Sequence, residues 1–151
     1  MRKLIPIRAP LAAATPALAA DPAPVLAADR AFAAMSASKG PRAASMAYLA
    51  SSATMVNMGT LQAGTPNQLV GDFPTSPTAF RLNWQVVGGA MSEDATFGVT
   101  WGTWTREVQG HASGTGAYTT VWHKAVDGRW QVIQDGGSDR LPTMQASLPP
   151  P

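Results

Sequence analysis

From residue 80 onward the chain alternates apolar and polar positions. Leu82, Trp84 and Val86 recur every second residue between Phe80 and Ala90, and Ser92-Glu-Asp-Ala95 then reads as a turn. Over 97–108, Phe97, Val99 and Trp101 share one face, while Gly98, Thr100 and Gly102 share the other, where Trp104 joins them. Tyr118, Thr120 and Trp122 alternate on one arm of a hairpin and Trp130 and Val132 on the other, with Asp127-Gly128 at the turn. A period of two over such runs predicts antiparallel strands with one buried face. Small residues in a row let a sheet bend or let a ligand approach its backbone. Gln109 to Ser113 reads as a polar loop before the final hairpin.

The N-terminal half has a different texture. Val25 to Ser38 predicts a helix rich in alanine, with Leu26, Arg30, Ala33 and Ala37 on one side and Phe32 near Met35 on another. Lys39-Gly40-Pro41 stops it. Pro41 to Leu49 predicts a second short helix, with Met46, Tyr48 and Leu49 inward. Ala53 to Met58 is a short strand, Gly59 to Gly64 a turn region, and Thr65 to Gly71 a third helix with Thr65 as N-cap and Pro66 first inside. Asp72 to Thr78 is loop. Helices followed by strands argue an α+β fold, with a curved, mostly antiparallel sheet wrapped around the N-terminal helices.

The 151 residues suffice for one domain with a real core. All five tryptophans lie between Trp84 and Trp130, so the core is expected there. The net charge of +2 is thin, because removing Arg2, Lys3 and Arg8 would leave about −1. No basic patch interleaved with aromatics then remains, which argues against a nucleic-acid partner. The chain has no cysteine, so disulfides, thiolate metal sites and a cysteine nucleophile are excluded.

Met1-Arg2-Lys3, the small apolar run to Ala20 and the Ala17-Leu18-Ala19 motif read as a signal peptide over 1–19, cleaved before Ala20. The product would be periplasmic or secreted. The alternative is an Ala/Pro leader on a cytoplasmic protein, since Pro6, Arg8 and Pro10 interrupt the apolar run. Residues 20–25 would be a linker, 26–140 the domain and 141–151 a frayed tail. No stretch reaches the ~20 apolar residues of a membrane span.

The order and spacing of several pieces resemble a known family. They are Ala27-Ala-Asp-Arg-Ala-Phe-Ala33, Gly64, Trp84, Ser92-Glu-Asp-Ala-Thr-Phe-Gly98, Thr100-Trp-Gly-Thr-Trp104, Thr120-Val-Trp-His-Lys124, Asp127-Gly-Arg-Trp130 and Asp135. Together they resemble the SnoaL-like proteins of the nuclear transport factor two-like (ketosteroid isomerase-like) superfamily, in particular an exported bacterial branch of unknown function. The resemblance covers about Leu26 to Ser138. It implies a cone-shaped barrel, a pocket at the open end and frequent homodimers. The chain departs from the pattern after the second helix, where Tyr48-Leu-Ala-Ser-Ser-Ala-Thr54 carries hydroxyls instead of the acidic pair such proteins often have. That favours a binding module, or a structural domain with a filled pocket, over an isomerase-type enzyme.

Candidate chemistry centres on the end of the last strand. Asp135, before Gly136-Gly137, is either a general base in an apolar pocket or a turn residue capping the bend. The hairpin turn separates these roles. With a two-residue loop at Asp127-Gly128, Trp122 pairs with Ile133 and shares a face with Asp135. With a three-residue loop, Trp122 pairs with Val132, Gln134 joins the face of Tyr118, Trp122 and Trp130, and Asp135 points away. The second register gathers the aromatics and is preferred, which makes Gln134 the pocket group. Tyr48, Trp84, Thr100, Tyr118, Trp122 and Gln134 are therefore the expected ligand-binding residues, for an apolar small molecule. His111 and His123 are the only histidines and have no metal-ligand spacing, so neither a metal nor a cofactor is expected. No nucleophile elbow occurs, and Gly114-Thr-Gly116 enters a strand, not a helix, so it is no phosphate loop. The tryptophans could equally be core packing or a dimer face.

Overall fold

The computed structural model describes residues 20–57 and 60–139. The leader expected over 1–19 and the tail over 141–151 lie outside the described residues. The elements run α1 (Ala23–Lys39), α2 (Pro41–Tyr48), β1 (Leu49–Asn57), β2 (Thr60–Gly64), α3 (Pro66–Val70), β3 (Phe80–Met91), β4 (Phe97–Val108), β5 (His111–Lys124) and β6 (Trp130–Asp139). The strands form one sheet in the order β2-β1-β6-β5-β4-β3. Every pairing is antiparallel except β1 with β6, which is parallel. The fold is the α+β one expected, with β2 and β3 as its edge strands; on the β3 edge Ala20 makes one isolated antiparallel bridge with Met91.

α1 starts inside the expected linker, helped by proline in its first turn, and stops at Gly40, whose φ of 88° suits a residue without Cβ. Its buried residues are Val25, Asp29, Phe32 and Ser36. Neither side named from the sequence was assigned inward; the inward stripe lies one residue before the Leu26, Arg30, Ala33 and Ala37 side and is half polar. Its polar members are satisfied, and Ser36 Oγ donates to the Leu82 carbonyl at 2.7 Å, fastening α1 to β3. In α2 the expected inward Met46 is exposed at 44%, whereas Leu49, now the first residue of β1, is buried. The turn region expected over 59–64 contains β2, which pairs with β1 from Asn57↔Thr60 to Ala53↔Gly64. α3 begins as predicted at Thr65-Pro66, and Gln68 Oε1 accepts from the Thr65 N–H at 2.9 Å.

The polar loop expected over 109–113 is only two residues long. Val108 pairs with His111 across Gln109 (φ 50°) and Gly110 (φ 80°), two left-handed residues that match a tight hairpin turn to the strand twist. β4 and β5 are thereby aligned so that Gly98, Thr100, Gly102 and Trp104 lie beside Trp122, Thr120, Tyr118 and Gly116 on one buried face. Trp101, Thr103, Ala117 and Thr119 occupy the exposed face. The core is Val25, Phe32, Ala44, Leu49, Ala53, Leu69, Val70, Trp122 and Val132, between the helices and the inner face.

Candidate functional site

The turn of the β5–β6 hairpin is the three-residue one. The Gly128 N–H bonds the Ala125 carbonyl, the Ala125 N–H bonds the Arg129 carbonyl, and Gly128 takes φ 84°. Trp122 accordingly pairs with Val132. The expected consequence for Gln134 does not follow. Ile133 is an extra residue in β6, so that Val121 pairs with Gln134 and Thr120 with Asp135. Such a bulge returns the strand to the opposite alternation. Gln134 therefore lies on the outer face and is exposed, and Asp135 turns to the inner face beside Tyr118 and Thr120.

Two neighbouring hydroxyls of β5 receive two carboxyls from opposite elements. Thr120 Oγ1 donates to Asp135 Oδ1 at 2.6 Å. Tyr118 Oη donates to Asp29 Oδ2 at 2.8 Å, and Trp84 Nε1 donates to Asp29 Oδ1 at 2.6 Å. Asp29 is wholly buried, Tyr118 and Thr120 nearly so. No lysine, arginine or histidine forms an ion pair with either carboxyl among the described residues. Asp135 keeps some exposure along the strand, yet its carboxyl sits deep. Burial pushes its pKa up, the Thr120 hydrogen bond opposes this, and the charge of Asp29 adds to the rise. Burial, then the charge and hydrogen bond of Asp29, push the Tyr118 hydroxyl far above its ordinary value, so it stays protonated as a donor. The arrangement is one buried carboxyl held by two donors, beside an acid that holds its proton to higher pH than an ordinary carboxyl.

The other expected binding residues are committed to one another. Trp122 is fully buried and its Nε1 donates to Thr100 Oγ1 at 2.9 Å. Tyr48 stacks on Phe32 at 4.9 Å between centroids, and Phe32 meets the Trp84 ring edge-on at 4.7 Å. The inner glycines, expected to admit a ligand, admit the chain's own side chains. Val25 lies against Gly98, the Tyr118 ring against Gly102, and the Trp104 indole against Gly116 and Gly137. The Trp104 indole lies over Gly116 and Gly137 as a lid, and its Nε1 donates to the Ala117 carbonyl at 3.1 Å.

Two depressions lie elsewhere. One of about 340 Å³, on the outer face, is lined by Val56, Tyr118, Thr119, Gln134, Gly136 and Ser138 among others, so two of the expected binding residues, Tyr118 and Gln134, border one concavity. Another of about 380 Å³ lies between α1 and β3, lined by Arg30, Ala33, Trp84, Gln85 and Val86. His111 is exposed, and His123 packs at 4.8 Å against Phe97 on the outer face. Among the described residues no three histidine, aspartate or glutamate side chains cluster as a metal site, and no helix is long and apolar enough to cross a membrane.

Asp29 was not expected as a site residue, although it falls within the Ala27–Ala33 piece quoted above. Counting the helix from Val25 in steps of four, three and four reaches Asp29, Phe32 and Ser36, and that count would have found it.

An antiparallel sheet curved over N-terminal helices, with one parallel strand and a polar cluster on its inner face, is the nuclear transport factor 2-like fold. A nuclear transport factor 2-like superfamily protein from Salmonella enterica superposes with a TM-score of 0.61 at 12% identity, over 82% of this chain and 94% of that one. A ketosteroid isomerase-like protein from Erwinia carotovora gives 0.61 at 14% identity, over 77% and 93%. A candidate calcium/calmodulin dependent protein kinase II association domain from Xanthomonas campestris gives 0.62 at 21% identity, over 87% and 94%. At these identities the likeness is one of fold. No family model matches the chain, and no curated protein matches it in sequence.

Proposed function

We propose that the domain binds a small, mostly apolar molecule on the inner face of the sheet, with Asp135 as the polar end of the site. The supporting observation is the bulge at Ile133, which gives up one ladder position and turns an acid to the inner face beside Thr120. Packing alone would favour an apolar residue there. Tyr48, Trp84 and Tyr118 supply the aromatic wall, and the molecule would displace part of the Trp104 lid. Native mass spectrometry of the purified protein tests this by showing a bound small molecule. An empty protein whose Asp135 carboxyl signal is unmoved by a panel of aromatic ketones and alcohols would sink the reading, and leave a structural domain with a filled pocket.

A second reading is favoured by the raised pKa of Asp135. Asp135 would then act as general base in an isomerase, cyclase or hydratase of SnoaL-like type, with the Tyr48 hydroxyl polarising the substrate. The Erwinia neighbour's description points the same way. Proton exchange from solvent into the bound molecule, lost in Asp135→Asn, would separate catalysis from binding.

The remaining expectations join this proposal. Val87, Phe97 and Trp101 are exposed on the outer face of the sheet, at 73%, 46% and 41%, which supports a homodimer. Export rests on the leader, and an N-terminus at Ala20 in protein recovered from the periplasm or medium is the outcome that supports it.

A further inference from the structure

β3 is an edge strand, and its free side is built rather than blank. In an antiparallel strand the N–H and C=O of one residue point the same way, and the next residue's point opposite. The Leu82 carbonyl points away from β4, since it accepts from Ser36 on α1, and the Gln85 carbonyl points toward Gly102 of β4. Trp84 and Val86 therefore present their N–H and C=O groups along the open edge, up to the bulge at Val87. No backbone group among the described residues pairs with them there.

Natural edges are guarded by lysine, proline or inward charge. Leu82-Asn-Trp-Gln-Val86 has none of these. Instead the edge forms one wall of the 380 Å³ depression, and Arg30 and Ala33 of α1 form the other. Arg30 is exposed and has no ion pair among the described residues. The Trp84 indole is held from behind by Asp29, so that wall is fixed.

We propose that the free edge of β3 beside α1 is a docking groove for an extended acidic peptide, which adds a strand along Trp84–Val86 and sets a carboxylate on Arg30. Donors and acceptors alternate on the edge, which suits a peptide ladder and not a lone anion. The positive charge of Arg30 on the opposite wall calls for an acid in the peptide.

The test uses the full chain, labelled with nitrogen-15, and the peptide acetyl-Thr-Val-Glu-Val-Thr-amide. Two control peptides replace the glutamate by glutamine, or one valine by proline. Binding is expected to shift and protect the Trp84 and Val86 amides. The glutamine peptide should bind less tightly by up to about fivefold, the ceiling of an exposed ion pair, and the proline peptide should not add the strand. Arg30→Gln, at an exposed position, should keep the spectrum of the folded domain and bind the two valine peptides equally. The proposal is overturned by absent binding, by shifts confined to another surface, by equal affinity of the wild type for glutamate and glutamine peptides, or by unchanged affinity in Arg30→Gln.

Discussion

Tyr118 and Asp29, 89 positions apart, share a 2.8 Å hydrogen bond that joins β5 to α1 at the centre of the inner face. The pair has no room for a simple truncation, because Asp29 is wholly buried and each lost donor leaves a buried carboxyl oxygen without its partner. Tyr118→Phe is expected to cost about 1–3 kcal/mol, the penalty for stripping a buried group of a partner. Asp29→Leu should cost at least as much, since it strands both the Tyr118 hydroxyl and the Trp84 indole N–H. The double variant should be more stable than the two losses added together predict, by about 0.5–3 kcal/mol. Urea denaturation of the four proteins measures this, and strict additivity would show that the bond carries no coupling.

Asp135 makes stability depend on pH in a known direction. Its folded pKa lies above the ordinary 3.8. Below 3.8 both folded and unfolded chains hold the proton, and the group's contribution is fully present. As pH rises past 3.8 the unfolded chain ionises first, so the contribution falls until the folded carboxyl ionises too. Asp135→Asn removes this titration. The stability advantage of the wild type over Asp135→Asn should therefore shrink between acid and neutral pH. Asp94 and Asp127, held below the ordinary value by Ser92 and Thr96 and by Arg129 respectively, act oppositely in both proteins and cancel in the comparison. Parallel pH curves for the two proteins would count against the raised pKa.

The strands were legible because half-buried alternation survives in sequence, and β4 runs over the predicted 97–108. The three-residue turn was legible too, since Asp127-Gly128 states its own chemistry: Asp127 Oδ1 accepts from the Arg129 N–H, and Gly128 supplies the positive φ. The bulge at Ile133 was not legible, because nothing in Trp-Gln-Val-Ile-Gln-Asp distinguishes the extra residue; the register past it is set by pairing with both β5 and β1. Hence the correct turn led to the wrong face for Gln134 and Asp135. The buried stripe of α1 was missed for a different reason. Alanine on every side of that helix weakens the apolar contrast, so the inward side emerges only when the count starts at Val25 and accepts the polar Asp29 and Ser36.

Glycine substitutions separate two kinds of constraint. Gly128 has φ 84° and open space around a Cβ, so Gly128→Ala should cost about 1 kcal/mol through backbone strain alone, and Gly128→Asn less. Gly102→Ala meets the Gln85 carbonyl and the Tyr118 ring instead. It should loosen β3 from β4 and disturb the Tyr118–Asp29 bond, with a larger loss of stability. Thermal melts compare the two, and similar losses would show that the close approach at Gly102 is relieved by a small shift.

The outer face supplies the last prediction. Trp101 lies over Gly88, so its indole is already flattened against β3 while 41% of it remains exposed, and Val87 projects beside it at 73%. A face of this kind is the surface a second copy would cover in the proposed homodimer. Val87→Lys and Trp101→Lys put a charge into that contact without touching the inner face. Sedimentation equilibrium should show the wild type as a dimer and both variants shifted toward monomer. Unchanged melting of a variant at low protein concentration would confirm that the domain itself survives the change. A wild-type protein that sediments as a monomer across the accessible concentrations would remove the dimer proposal and leave the Trp101 face for some other partner.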